Sequence, residues 1–148
     1  MQLSNNFYLS EFVDSQTAQR RGIDNTPNRA QLANLQQLAE LMEEVRYLLG
    51  NLPISVSSGF RCPELNAAVN GARNSDHLTG SACDFTCPAF GSPYEVAKAI
   101  EESGIQFGQM IHEFGTWVHI SIPNRSENNQ VLTAQRKDGR VVYYRGII

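Results

Sequence analysis

Apolar residues along the chain recur at two different spacings, and each spacing predicts its own kind of element. Between Thr26 and Gly50 the residues Leu35, Leu38, Met42, Val45 and Leu49 recur every three or four positions, the period of a helix that buries one face. Pro27 suits the first turn of that helix and Gly50 its end. Shorter helices are predicted over Asp14–Arg21, closed by Gly22, and over Cys62–Val69, stopped at Asn70-Gly71. Ser92-Pro93-Tyr94-Glu95 is a capping box ahead of a helix that runs to about Glu102. Ile54–Phe60, Ser81–Cys87, Gln109–Phe114 and Trp117–Ile122 read as strands. Val131–Arg136 and Val141–Arg145 flank Asp138-Gly139, a hairpin turn signal. Helices lead and strands follow, which predicts an α+β fold with N-terminal helices packed on a small antiparallel sheet. No repeat, low-complexity stretch or linker divides the chain, so residues 1–148 are expected to form one domain.

Strand parity sorts the polar residues that sit among apolar ones. Along Ser81–Cys87, Ala82, Asp84 and Thr86 share one face, and Cys83 and Phe85 share the other. Along Trp117–Ile122, Trp117, His119 and Ser121 share a face opposite Val118, Ile120 and Ile122. His77 lies in a loop held by Gly80, whose backbone can take angles that a side chain would resist. A carboxylate between Cys83 and Phe85 is costly to bury unless it has a partner. His77 and His119 would supply one. Two imidazoles and one carboxylate form a ligand set that zinc enzymes use when a fourth position is left for water.

Composition changes this picture little. Hydrophobic residues make up 41% and charged residues 18%, ordinary for a globular chain. A net charge of -3 argues against a nucleic-acid partner. No apolar run is long enough to span a membrane. The start of the sequence has no basic, then apolar, signal-peptide pattern, so synthesis and retention in a cytoplasm are expected. Three cysteines, Cys62, Cys83 and Cys87, argue against a disulfide framework. Cys83 and Cys87 could form half of a metal site. Buried apolar packing is the stronger reading, because no second pair completes a cage.

Ser57-Ser-Gly-Phe-Arg61, Asn66, Ser75-Asp-His77-Leu-Thr-Gly80-Ser-Ala-Cys-Asp84 and Trp117-Val-His119 together resemble the zinc D-alanyl-D-alanine carboxypeptidase family, the M15 type of peptidase. That family shares its fold with hedgehog signalling domains. Phe7-Tyr-Leu-Ser-Glu-Phe12 and Gly22-Ile-Asp-Asn-Thr-Pro27 also resemble phage and prophage members. The resemblance covers nearly the whole chain and weakens after about Pro123.

The resemblance implies a hedgehog/DD-peptidase-like fold and a Zn²⁺ ion held by His77, Asp84 and His119. Arg61 would position the substrate and stabilise developing negative charge; a surface salt bridge is the plainer alternative. Ser75 would contact substrate or support the site, and loop capping accounts for it equally well. Trp117 would be a cleft wall or ordinary packing. Val141–Tyr144 reads as a core or edge strand rather than a binding platform.

The general base is harder to place. Many relatives carry an acidic residue three positions before the last histidine ligand, where this chain has Thr116. Glu113 is the nearest carboxylate, and some phage-type relatives resemble this chain in having Glu-Phe-Gly before Trp-x-His. A two-residue turn at Gly115-Thr116 would set His112 opposite His119 and turn Glu113 to the far face. An odd-numbered loop such as Phe114–Thr116 would put Glu113 on the face of Trp117 and His119. Chemistry favours Glu113 as the base, with His112 as a proton shuttle or oxyanion partner, or else a cross-strand packing residue.

The function implied is hydrolysis of a peptide bond in the peptidoglycan stem, foremost the D-Ala-D-Ala bond. The alternatives are an L-Ala-D-Glu endopeptidase of endolysin type and a non-catalytic zinc-containing module that binds the wall or builds a phage particle. A monomer is expected, one that meets the wall only on release, as in phage or prophage lysis.

Overall fold

The long helix begins two residues later than proline placement suggests. Asn28 accepts from the Gln31 N–H at 2.8 Å, and the Gln31 side chain accepts from the Asn28 N–H at 2.8 Å. That reciprocal pair caps the helix at Asn28 and leaves Pro27 just outside. In the computed structural model, which describes residues 1–124 and 126–148, the helices are α1 (Leu9–Val13), α2 (Gln16–Arg21), α3 (Arg29–Leu48), α4 (Pro63–Ala68) and α5 (Pro93–Glu101). The strands are β1 (Ser55–Ser58), β2 (Ala82–Thr86), β3 (Gln109–Glu113), β4 (Trp117–Ser121), β5 (Gln130–Lys137) and β6 (Arg140–Arg145). Helix α1 went unpredicted because five residues are too few to show a period. It is closed at its start by the Tyr8 N–H donating to Glu11.

The strands form one sheet in the order β1-β2-β4-β3-β5-β6. The expectation of an antiparallel sheet needs correction: the sheet is mixed, because β3 and β5 run parallel. Strand β4 returns antiparallel along β3. The chain then passes to the far edge of β3 before β5 begins, so β5 must start at the same end as β3. That crossing is pinned where the Asn129 N–H meets the Phe107 carbonyl and the Gln130 N–H meets the Gly108 carbonyl. Asp138 and Gly139, at φ 53° and 75°, turn β5 into β6 as the dipeptide predicted.

One face of the sheet carries the core. Cys83, Phe85, Met110, Val118 and Ile120 are fully buried there, against Leu35, Leu38, Met42 and Val45 of α3 and Val96 and Ile100 of α5. Each large side chain so buried contributes about 1.5–3 kcal/mol. The burial of Cys83 and Cys87, both free, matches the apolar reading of these cysteines. This packing makes the sheet a firm base for whatever its other face presents. Among the described residues no helix is long and apolar enough to cross a membrane.

Candidate active site

The face of the sheet away from the core holds the polar residues in rows. Strand register runs one row through Asp84, His119, Ile111, Leu132 and Arg145. The next row runs through Trp117, Glu113, Ala134 and Tyr143. Asp84, His119 and Ile111 of the first row and Trp117, Glu113 and Tyr143 of the second form the floor and one wall of an open cleft of about 1010 Å³, which Arg61, Ser75 and His77 border from the other side.

His77, Asp84 and His119 converge on that floor. Their potential ligand atoms all lie within 4.8 Å of one another, and all three side chains are buried. His77 Nε2 lies 3.2 Å and His119 Nδ1 3.0 Å from the same oxygen, Oδ1 of Asp84. His77 arrives on a single 3₁₀ turn, Asp76–Thr79, rather than on an open loop. Ser75 caps this turn, its hydroxyl accepting from the His77 N–H at 3.1 Å, and Gly80 closes it at φ 75°. The Ser75 hydroxyl thus has a capping partner, while its residue still borders the cleft.

One contact sets the tautomer of His77. Its Nδ1 lies 2.7 Å from the carbonyl oxygen of Gly59. A carbonyl can only accept, so Nδ1 carries the proton and Nε2 presents its lone pair toward Asp84 and His119. Carbonyl support of this kind orients histidines that bind metals.

The electrostatics also suit a cation. Burial opposes charge on Asp84, yet the two histidines hold its carboxyl far below the usual carboxylate range. Burial lowers the pKa of His77 against the opposing pull of Asp84. Burial pushes His119 the same way, but hydrogen bonding to Asp84 and the charges of Asp84 and Glu113 win and raise it. Such a pull on a buried imidazole marks a negative potential that a divalent ion would relieve. Neutral imidazole, ionised carboxylate and a cleft open to water make a donor set that fits zinc with a position to spare.

The loop length that sequence left undecided is three residues. Glu113 pairs with Trp117 across Phe114, Gly115 and Thr116, and Phe114 and Gly115 take φ 57° and 68°. Glu113 therefore shares the face of His119, with Oε1 3.7 Å from His119 Nδ1. Burial, and then the charge of Asp84, raise its pKa above 4.5. The Trp117 indole N–H points toward Glu113 without completing a hydrogen bond. Arg61 sets Nη2 3.9 Å from Asp84 Oδ2 and is mostly buried, so its partner is a floor residue rather than a surface charge.

The same register corrects the expectation for His112. It pairs with Val118 on the core face, 6.0 Å from the Tyr94 ring, and does not border the cleft. An odd loop that turns Glu113 toward the floor must turn its neighbour away. His112 cannot contact a substrate held in the cleft.

Asn25 and Tyr143 are among the residues that escaped sequence reading. Asn25 donates to the Val13 and Phe60 carbonyls, both at 2.9 Å, and accepts from the Cys62 N–H at 2.8 Å. It ties the Phe60–Cys62 segment to the helices; the signal available was a polar residue inside the Gly22–Pro27 stretch. Tyr143 stands on the cleft face of an edge strand, 55% exposed. Its strand is an edge strand as predicted, but its alternate residues line the cleft.

A buried acid–imidazole cluster able to hold a divalent cation, with a free carboxylate on the same cleft face, is what a metal-dependent hydrolase requires. The peptidase M15 family model matches residues 5–121, and the chain belongs to that family. Over 43 residues, 29% of the chain, it is 42% identical to the zinc D-Ala-D-Ala carboxypeptidase of Streptomyces albus G. That match spans 17% of the relative's length, so the two proteins are alike over a short segment only. Family and relative agree with the expectation of a zinc metallopeptidase.

Proposed function

We propose that this protein is a zinc-dependent peptidase that hydrolyses a bond of the peptidoglycan stem peptide, foremost the D-Ala-D-Ala bond. The observation that carries the reading is the convergence of His77, Asp84 and His119 with Glu113 on the same face. His77 and His119 would hold the ion through their lone pairs and Asp84 through a carboxylate oxygen. Bound there, zinc supplies Lewis-acid polarisation of a carbonyl and lowers the pKa of water toward neutrality.

The remaining work falls to the chain. Glu113 takes the proton of the attacking water and delivers it to the leaving amine, and its raised pKa suits a group that must both accept and return a proton. Arg61 keeps its charge despite burial and aims a planar donor fork at the negative charge that develops on the carbonyl oxygen. Gly59 holds His77 in the tautomer that leaves Nε2 free. Trp117 walls the cleft beside Glu113. The three helices ahead of β1, with a sheet that carries the core on one face, support a hedgehog/DD-peptidase type of fold, and the residues near Phe7 and Gly22 support a phage or prophage setting.

Digestion of muropeptides with the zinc-loaded protein, read by mass spectrometry, tests activity and bond position together. Release of D-Ala is expected. Release of fragments with new D-Glu amino termini instead would make it an endopeptidase. Stoichiometric zinc without cleavage of any muropeptide would reduce it to a binding module.

A further inference from the structure

The family match ends at residue 121, yet the cleft does not. Strands β5 and β6 lie wholly beyond that segment, and their face residues Arg136, Val141 and Tyr143 border the same cleft as Glu113 and His119. Register requires this: Ala134 pairs with Glu113 on one side and Tyr143 on the other, and Arg136 pairs with Val141 one step further along.

Arg136 is held in place without being neutralised. Its guanidinium lies 4.4 Å from the centroid of the Phe114 ring. Phe114 is itself fixed in the β3–β4 turn and meets the Trp117 ring edge-on at 5.7 Å. Among the described residues no carboxylate lies within ion-pair distance of Arg136. A stacked guanidinium keeps its edge N–H groups for a planar acceptor such as a carboxylate.

Spacing says where that carboxylate must sit. Strand β5 is two strand spacings from β4, on the order of 10 Å. An extended peptide covers that in two to three residues at about 3.3 Å each. The group is therefore not the carboxylate next to the bond cut. We infer that the β5–β6 hairpin is a specificity wall, on which Arg136 takes a substrate carboxylate two or three residues from the scissile bond. The bond chemistry assigned to this cleft rests on the peptidase reading; the binding of an acidic peptide does not.

The test is calorimetric. The full chain, treated with a chelator so that no turnover occurs, is titrated with L-Ala-γ-D-Glu-L-Lys-D-Ala-D-Ala and with the same peptide amidated at the glutamate α-carboxylate. The acidic peptide is expected to bind about tenfold tighter, a difference in the range of one charge-assisted hydrogen bond. Arg136→Gln should erase that preference, and Arg136→Lys should keep part of it. Equal binding of the two peptides by the unsubstituted chain, equal weakening of both by Arg136→Gln, or no binding of either overturns the inference. An intact preference in a chain that cleaves nothing when loaded with zinc would sink the peptidase reading alone.

Discussion

The carbonyl of Gly59 accepts the Nδ1 proton of His77 at 2.7 Å, and Gly59 has no room for a side chain. A Cβ built there would stand 2.4 Å from the Phe12 carbonyl oxygen and 2.7 Å from the Phe12 Cα. The close approach exists because the next residue, Phe60, donates its N–H to that same carbonyl at 2.7 Å. Helix α1, β1 and the imidazole are thus linked through one residue.

Gly59→Ala is therefore expected to move backbone rather than a flexible side chain. The cost should be about 1–3 kcal/mol of stability, as for overpacking elsewhere. Metal affinity should fall about 10- to 100-fold as the support of His77 shifts. Thermal unfolding and a zinc titration measure the two effects separately. A variant with native stability and native zinc affinity would show that the contact is incidental.

Zinc should stabilise the fold through the three buried ligands. At a free zinc concentration about 100 times Kd, linkage gives about 2.7 kcal/mol. Thermal melts with and without a chelator should show that gain in the unsubstituted chain and little of it in His77→Ala or His119→Ala. Equal gains in all three chains would place the ion elsewhere.

Glu113→Gln should separate binding from chemistry. The side chain is not among the three converging ligands, so zinc content should hold while hydrolysis falls by about 10²- to 10⁴-fold. Metal analysis beside a muropeptide assay reads both. Undiminished turnover would assign the base to another group.

Glu43 gives a pH-dependent handle far from the cleft. Burial alone would raise its pKa, but hydrogen bonds from Ser4, from the Asn6 side chain and from the Asn6 N–H, with nearby Arg46, lower it below 4.5. A lowered folded-state pKa contributes stability above the unfolded value of about 4.3 and loses it as pH falls through the folded value. Glu43→Gln should cost about 1 kcal/mol at pH 7 once solvent screening is allowed for. The gap to the unsubstituted chain should narrow below about pH 4. Denaturant melts at pH 7 and pH 3 check this, and a gap that does not change between them would contradict it.

Much of the architecture could be read from local signals because local interactions cause it. The capping box at Ser92, the apolar period from Leu35 to Leu49 and the Asp138-Gly139 turn each act within a few residues, and each element forms where they place it. Parity alone put Asp84 and His119 on faces opposite Phe85 and Val118, and the structure agrees. What the sequence determined by itself is thus most of the elements, though not the five-residue α1 or the 3₁₀ turn that carries His77, together with the faces of the strands and the three residues able to converge on an ion. Only the tertiary structure decided that β5 lies parallel to β3, that Glu113 rather than His112 faces the cleft, and that Arg136 and Tyr143 border it. Those outcomes depend on which edge a strand joins and on the three-residue length of the Phe114–Thr116 loop. A one-residue change in a loop reverses every side chain beyond it, and the energy that selects the register lies in core contacts between residues far apart in the chain.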